Sequence, residues 1–114
     1  MKVLIVDDNA IVRLGLARIV EQIPDVERVE EASDGIEAME TVMKFSPDVV
    51  LLDVRMPRMN GLEVLAKLPK DINVIMLTSK DDAETISEAV DLGAKGYLLH
   101  GSFDTSQVVA AIDT

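Results

Sequence analysis

The sequence predicts a single α/β domain in which a parallel sheet is covered on both faces by helices. Short apolar runs rich in Val, Ile and Leu alternate with longer stretches whose apolar residues recur with the period of a helix. This alternation is typical of β-α units, which build parallel sheets. The chain has 114 residues, which suits one domain, and no linker, low-complexity tract or further repeat divides it.

Five segments carry the pattern of strands. The first, "KVLIV", and the third, "VVLL", are apolar throughout and predict strands buried in the middle of the sheet. The second, "RVEEA", is polar enough for a strand at the edge of the sheet. In chain order the predicted strands span residues 2–6, 28–32, 49–52, 73–77 and 96–99.

The stretches between and after the strands predict five helices. Asn9 can cap the first helix, and Thr105 or Ser106 opens the last. The last helix has barely three turns by Thr114, at about 3.6 residues a turn, so we expect the chain to be the front part of a longer protein. The helices are marked by Val12, Leu16, Ile19, Val20 and Ile23 in the first, by Ile36, Met39, Val42 and Met43 in the second, by residues 62–68 in the third, by Ala83, Ile86, Val90 and Leu92 in the fourth, and by Val108, Val109 and Ile112 in the fifth.

The composition excludes several classes of protein. The chain has no cysteine, which excludes a disulfide scaffold and a zinc site built on thiolates, and fits a reducing cytosol. No apolar run approaches the length of a membrane span, and the first run is too short for the core of a signal peptide. The net charge of −10 repels nucleic-acid phosphates, so we do not expect this domain to bind DNA by itself.

Polar residues stand where four of the predicted strands end. Asp7 and Asp8 follow the first strand, Asp53 the third, Thr78 the fourth and His100 the fifth. Open parallel sheets place their sites at the carboxyl ends of the strands, near the point where the strand order reverses. In the flavodoxin-like order 2-1-3-4-5, a three-layer (βα)5 sandwich, the first and third strands are neighbours in the centre of the sheet. The three aspartates are therefore expected to lie close together.

Three carboxylates in one pocket point to chemistry with a cation. They repel one another, so one would take up a proton unless a hard, oxygen-preferring ion such as Mg²⁺ joins them. A carboxylate beside a metal ion can attack phosphorus and form an acyl phosphate, and the hydroxyl of Thr78 could then donate to a phosphoryl oxygen. A single aspartate after a strand is more often a turn former or a helix cap. Two acidic strand ends on adjacent strands favour a site over that interpretation.

Four stretches carry a family resemblance that covers essentially the whole chain. They are "VLIVDDN", "PDVVLLDVRMPRMNGLEVL", "VIMLTS" and "GAKGYLL". In this order and with these gaps the sequence resembles the receiver domain of bacterial two-component response regulators. The "GYLL" stretch followed by Gly-Ser is similar to the NarL/FixJ-type branch. The resemblance implies a protein that switches a response on phosphorylation and is not an enzyme with a substrate of its own.

The resemblance implies a role for several residues. Asp53 matches the aspartate that accepts a phosphoryl group, and Asp7 and Asp8 match the acidic pair that holds Mg²⁺, with Asp8 the more direct ligand. The backbone carbonyl of Arg55 matches a further metal ligand. The hydroxyl of Thr78 matches the one drawn to the phosphoryl group. In addition, the resemblance makes Tyr97 the aromatic switch residue that changes rotamer with that hydroxyl.

The sequence departs from the family pattern at His100. The family normally carries a lysine three residues after the switch aromatic, and its ammonium group is expected to pair with the phosphoryl oxygens and the acceptor aspartate. An imidazole is shorter and is mostly uncharged at neutral pH unless neighbouring carboxylates favour its protonated form. We expect His100 to act as a weaker, pH-sensitive version of that lysine. Lys80 is a possible surrogate cation, although its side chain could equally point to solvent.

The resemblance also implies partners. They are a sensor histidine kinase, a second copy of the chain in a homodimer, and DNA through an output domain beyond residues 1–114, of the helix-turn-helix kind. We expect a cytoplasmic location and no membrane contact.

Two alternatives stay open. In the first, the histidine weakens the coupling to phosphorylation, and the chain is an atypical receiver used mainly for dimerisation or ligand binding. In the second, it is a Mg²⁺-dependent phosphatase of the haloacid dehalogenase type. Those enzymes need a second aspartate two residues after the nucleophile, where this chain has Arg55. A flavodoxin is less favoured than either alternative, because no phosphate-binding loop follows the first strand.

Overall fold

The strands of the protein form one parallel sheet. The computed structural model describes residues 1–56, 58–78, 83–100 and 104–113. The strands are β1 (Lys2–Val6), β2 (Arg28–Ala32), β3 (Val49–Asp53), β4 (Asn73–Thr78) and β5 (Gly96–Leu99). They lie in the order β2-β1-β3-β4-β5, with every neighbouring pair parallel. The predicted flavodoxin-like order is confirmed, and β2 lies at an edge as its polar sequence indicated.

A helix follows each strand. The helices are α1 (Ala10–Glu21), α2 (Gly35–Phe45), α3 (Gly61–Lys67), α4 (Ala83–Asp91) and α5 (Thr105–Asp113). The predicted cap of α1 is confirmed, because Oδ1 of Asn9 accepts the backbone N–H groups of Ile11 at 2.9 Å and Val12 at 3.2 Å. None of the described helices is long and apolar enough to span a lipid bilayer.

Two apolar layers hold the helices on the sheet. Leu4 and Val6 of β1 face one layer, while Val3 and Ile5 face the other, as the period of two in a strand requires. The first layer is completed by side chains of α2, α3 and α4, including Val42, Val64 and Ala89, and the second by side chains of α1 and α5, including Leu16, Val20, Val108 and Ile112. The domain is therefore a three-layer sandwich built almost entirely from aliphatic residues.

Two of the apolar residues that mark the predicted helices lie outside the core. In α2, Met43 is 84% exposed, whereas Ala38, Val42 and Phe45 are buried. Met43 follows Val42 by one residue, which turns its side chain about 100° away from the sheet. In α4, Val90 is 57% exposed, and its neighbour Ala89 is buried. An apolar residue beside the true core position misleads a prediction from periodicity alone.

Candidate functional site

The strand ends bring the predicted site residues to one edge of the sheet. Val6 of β1 pairs in register with Leu52 of β3, so Asp7 follows at the level of Asp53. On the other side of β3, Thr78 closes β4, and its carbonyl oxygen accepts the backbone N–H of His100 at 2.8 Å. Asp7, Asp53 and Thr78 are buried, with exposed fractions of 1%, 6% and 2%.

The side chains of Asp7, Asp53 and His100 converge. Nε2 of His100 lies 3.3 Å from Oδ1 of Asp53 and 3.6 Å from Oδ2 of Asp7. The three residues each offer one ligand atom within 4.8 Å of the other two. Asp8 is exposed at the rim, and its charge acts on both Asp7 and Asp53.

Burial controls the protonation of the two inner carboxyl groups. Loss of water raises the pKa of Asp53 to about 6, and the charge of Asp7 adds to this effect, while His100 and the backbone N–H of Arg55 oppose it. Burial also raises the pKa of Asp7, against the N–H of Asn9, which donates to Oδ1 of Asp7 at 2.8 Å. The pocket thus holds more negative charge than its own hydrogen bonds stabilise.

Three buried polar atoms at this edge lack hydrogen-bond partners within the described part of the chain. They are Oδ2 of Asp7, Oγ1 of Thr78 and Nε2 of His100. A buried polar atom without a partner costs roughly 1–3 kcal/mol, so the arrangement favours a ligand that would satisfy such atoms. The unpaired carboxylate oxygen fits a hard cation such as Mg²⁺.

Gly61 packs closely against the backbone of Asp53 and Val54. The N–H of Gly61 donates to the carbonyl oxygen of Val54 at 2.8 Å. A Cβ atom on Gly61 would lie 2.2 Å from the carbonyl oxygen of Asp53, which no side chain allows. A glycine directly after the helix cap Asn60 is the signal that could have identified this close approach.

Arg13 is a second residue that sequence reasoning missed. Its Nη1 donates to the backbone carbonyl of Asp7 at 2.7 Å, and its Nε pairs with Oε1 of Glu31 at 3.1 Å. Arg13 lies on α1, and this link ties that helix to the acidic end of β1. No pattern in the sequence indicated it.

Tyr97 lies outside the acidic pocket. Its side chain on β5 is 49% exposed. An apolar void of about 10 Å³ separates β5 from α4 and is lined by residues that include Thr78, Ile86, Ala89 and Tyr97. A void of this size is at the lower limit for one water molecule. The void is therefore too small to hold an aromatic ring.

Lys80 and Arg55 are the remaining predicted site residues. Lys80 lies outside the described residues. Arg55 is exposed, and its backbone N–H donates to Oδ1 of Asp53 at 3.3 Å, so its peptide unit lies beside the acidic pocket.

Comparison with known proteins assigns the chain to a family. The model of the response regulator receiver domain matches residues 3–113. The chain belongs to the response regulator receiver family. Relatives of this receiver domain include proteins named DegU, LiaR and NreC, which agrees with the NarL/FixJ-type branch.

Individual relatives locate the receiver domain within longer proteins. It is 38% identical to the oxygen regulatory protein NreC of Staphylococcus carnosus, over 100% of this chain and 54% of that protein. It is 42% identical to a protein-glutamate methylesterase/protein-glutamine glutaminase of Pyrococcus abyssi, over 86% of this chain and 28% of that protein. The chain spans about half the length of the first regulatory relatives it matches.

A solved structure supports the same assignment. The signal receiver domain of the putative response regulator NarL from Mycobacterium tuberculosis aligns with a TM-score of 0.88 at 32% identity, covering 97% of this chain and 91% of that one. The relatives are mostly transcriptional regulators. The methylesterase activity named above belongs to that longer protein.

Proposed function

We propose that Asp53 accepts a phosphoryl group from a sensor histidine kinase and that the receiver domain thereby switches an attached output. The observation that carries this proposal is the convergence of Asp7, Asp53 and His100 at one buried strand edge, with Thr78 closing the neighbouring strand. Asp53 is at the centre of this group, on the strand between β1 and β4.

The proposed step is a transfer between a phosphorylated histidine of the kinase and Asp53. A carboxylate oxygen of Asp53 attacks the phosphorus atom, and a P–O bond forms as the P–N bond breaks. The electron pair of the broken bond stays on the kinase imidazole, which takes up a proton. The product is an acyl phosphate on Asp53, and the attack requires its carboxyl group to be ionised. Attack by water on the phosphorus later restores the carboxylate and releases inorganic phosphate.

We infer that Mg²⁺ is held by Asp7, Asp8, Asp53 and the backbone carbonyl of Arg55. When bound, the ion supplies positive charge that offsets the carboxylates and the phosphoryl oxygens. Two features support this assignment: the unpaired, buried Oδ2 of Asp7, and the burial that, together with the charge of Asp7, raises the pKa of Asp53.

The response is proposed to spread from the phosphoryl group through Thr78 and Tyr97. The hydroxyl of Thr78 is buried without a partner and can donate to a phosphoryl oxygen. Its movement would favour a packing in which the ring of Tyr97 turns inward and α4 shifts to admit it. The phosphate would thus bias two alternative packings of the same elements. His100 and Lys80 are proposed as additional donors to the phosphoryl oxygens, His100 with the shorter reach.

Beyond this domain, we propose a helix-turn-helix DNA-binding output domain, a homodimer and a cytoplasmic location. The names of the relatives and their roughly twofold greater length support the output domain. Because the acidic set is complete, we place phosphorylation ahead of the atypical receiver. The chemistry happens once per signal and not in steady turnover, so we class the chain as a switch and not as an enzyme.

Phosphorylation by a small donor tests this proposal. The protein is incubated with Mg²⁺ and acetyl phosphate, and its intact mass is measured. Wild type and the exposed control Asp71→Asn should gain one phosphate, whereas Asp53→Asn should gain none. The proposal would be contradicted if the mass of wild type did not change, or if Asp53→Asn gained as much mass as wild type.

A further inference from the structure

We propose that Asp7, Asp53 and His100 form a site for a first-row transition metal ion, with Zn²⁺ as its typical occupant. One imidazole nitrogen and two carboxylate oxygens make a donor set that suits such ions better than it suits Mg²⁺. The histidine that replaces the usual lysine therefore adds a second kind of metal chemistry to the acidic pocket.

The distances between the ligand atoms support a tetrahedral ion. With metal–ligand bonds of about 2.0–2.2 Å, two ligand atoms of a tetrahedral zinc site lie roughly 3.3–3.6 Å apart. Nε2 of His100 lies 3.3 Å from Oδ1 of Asp53 and 3.6 Å from Oδ2 of Asp7. Both separations fall in the range of a tetrahedral site, and the ligand atoms of the three residues all lie within 4.8 Å of one another.

The hydrogen bonding leaves the same atoms available. Oδ2 of Asp7 is buried in a residue that is 1% exposed and has no partner within the described residues, and Nε2 of His100 has none either. Although Nε2 and Oδ1 of Asp53 lie within ion-pair distance, they are not aligned as a hydrogen bond. The other oxygen of Asp7 accepts the N–H of Asn9, which fixes the carboxylate so that Oδ2 faces the pocket. Such support orients a metal ligand.

The proposed zinc site shares only some of its ligands with the proposed phosphorylation site. Both use Asp7 and Asp53, but Asp8 and the carbonyl of Arg55 belong only to the proposed Mg²⁺ site. A zinc ion would engage Oδ1 of Asp53 and occupy the space on the side of His100. One consequence rests on the proposed function: zinc-loaded protein would not accept a phosphoryl group, so the metal would hold the switch off.

The composition makes the experiment specific. The chain has no cysteine and one histidine, so nitrogen coordination of a metal ion can come from no other side chain than His100. Zn²⁺ binding is measured by competition with a fluorescent chelator, in excess Mg²⁺ and without any phosphoryl donor. The imidazole resonances of the single histidine are followed by NMR in the same titration.

Wild type and Glu30→Gln, which alters an exposed carboxylate on β2, should bind one Zn²⁺ per chain and shift the imidazole resonances. His100→Lys, His100→Gln and Asp7→Asn should bind at least about tenfold more weakly, since even outer partners of metal ligands are worth that much. Equal affinity in both His100 variants, unshifted imidazole resonances, or no stoichiometric binding by wild type would overturn the proposal. Circular dichroism checks that each variant is folded.

A second arm separates this proposal from the proposed function. With acetyl phosphate and Mg²⁺, one equivalent of Zn²⁺ should abolish phosphorylation of wild type and spare His100→Lys. If Zn²⁺ binds as described but wild type gains no phosphate even without zinc, the metal site stands and the phosphorylation proposal fails. If wild type is phosphorylated equally with bound zinc, the mutual exclusion is wrong.

Discussion

The imidazole of His100 lies beside the carboxylate of Asp53, with Nε2 3.3 Å from Oδ1. An imidazole of limited reach thus occupies the place where the family pattern has an ammonium group. Its side chain is 33% exposed, so solvent reaches one side of the contact. Substitution of His100 should therefore change the rate at which Asp53 is phosphorylated.

Replacing His100 with lysine should speed phosphorylation by acetyl phosphate. A permanent charge close to Asp53 would stabilise the oxygens of the transferring group by a charge-assisted hydrogen bond. We expect about a tenfold higher rate, which corresponds to roughly 1.4 kcal/mol. The rate is measured by following the fraction of phosphorylated protein in intact mass spectra, with Mg²⁺ in excess and zinc removed by a selective chelator.

The control for this substitution is His100→Gln, which donates a hydrogen bond but carries no charge. The glutamine variant should not show the rate increase expected of His100→Lys. An equal increase in both variants would contradict a role for the positive charge.

The stability of the protein in EDTA should fall as pH rises from about 4 to about 6. In the folded state the pKa of Asp53 is about 6, and that of Asp7 is also raised, so the folded protein keeps protons that the unfolded chain has released. The contribution of these groups to the free energy of unfolding therefore decreases across that window and is constant above it. Urea denaturation at a series of pH values measures this slope.

Asp53→Asn should remove much of that slope and stabilise the protein by roughly 1–3 kcal/mol at pH 7, because its side chain carries no charge to desolvate. Asp34 and Asp104, whose pKa is lowered by backbone N–H donors, give the opposite slope. Their contribution to stability is lost as pH falls below about 4, and the substitution of Asp53 does not alter it. A variant no more stable than wild type at pH 7 would contradict the raised pKa.

Two glycine substitutions should have opposite effects. Gly61→Ala places a methyl group 2.2 Å from the carbonyl oxygen of Asp53, so the backbone must shift, at a cost of about 1–3 kcal/mol. Gly15 lies in the exposed middle of α1 with no atom within 4 Å of a new Cβ, and Gly15→Ala should stabilise by about 0.5–1 kcal/mol. Urea denaturation measures both. A neutral effect of Gly61→Ala would show that the close approach is unimportant.

Tyr97 should become less exposed when a phosphoryl analogue binds at Asp53. The chain has one tyrosine and no tryptophan, so intrinsic fluorescence reports this residue alone. Acrylamide should quench the fluorescence of wild type less when Mg²⁺ and beryllofluoride are present than when they are absent. Asp53→Asn should show no change. Unaltered quenching in wild type, with analogue binding confirmed by fluorine NMR, would exclude the inward movement.

The location of the site could be predicted from the flavodoxin-like strand order, because the residues that end each strand are local features of the sequence. Continuous runs such as "VVLL" identify central strands, and parallel strands place their carboxyl ends at one edge. Asp7 and Asp53 therefore had to meet once the order β2-β1-β3-β4-β5 was correct. The polar sequence of β2 likewise placed it at the edge.

Other features depend on packing between distant segments and could not be predicted. Met43 and Val90 are apolar but exposed, since the orientation of a helix is set by its best-packed face and not by every apolar residue. The hydrogen bond from Arg13 to the carbonyl of Asp7 joins a helix to a strand end without any sequence motif. The absence of partners for Oδ2 of Asp7 became visible only from the arrangement of all the neighbouring described residues.

The role of Asp53 as phosphoryl acceptor is tested most directly by identifying the phosphorylated residue. Protein treated with acetyl phosphate and Mg²⁺ is reduced with borohydride, which converts an aspartyl phosphate to homoserine, and is then sequenced by mass spectrometry. We predict homoserine at position 53 and at no other aspartate. Homoserine elsewhere, with Asp53 unmodified, would contradict it.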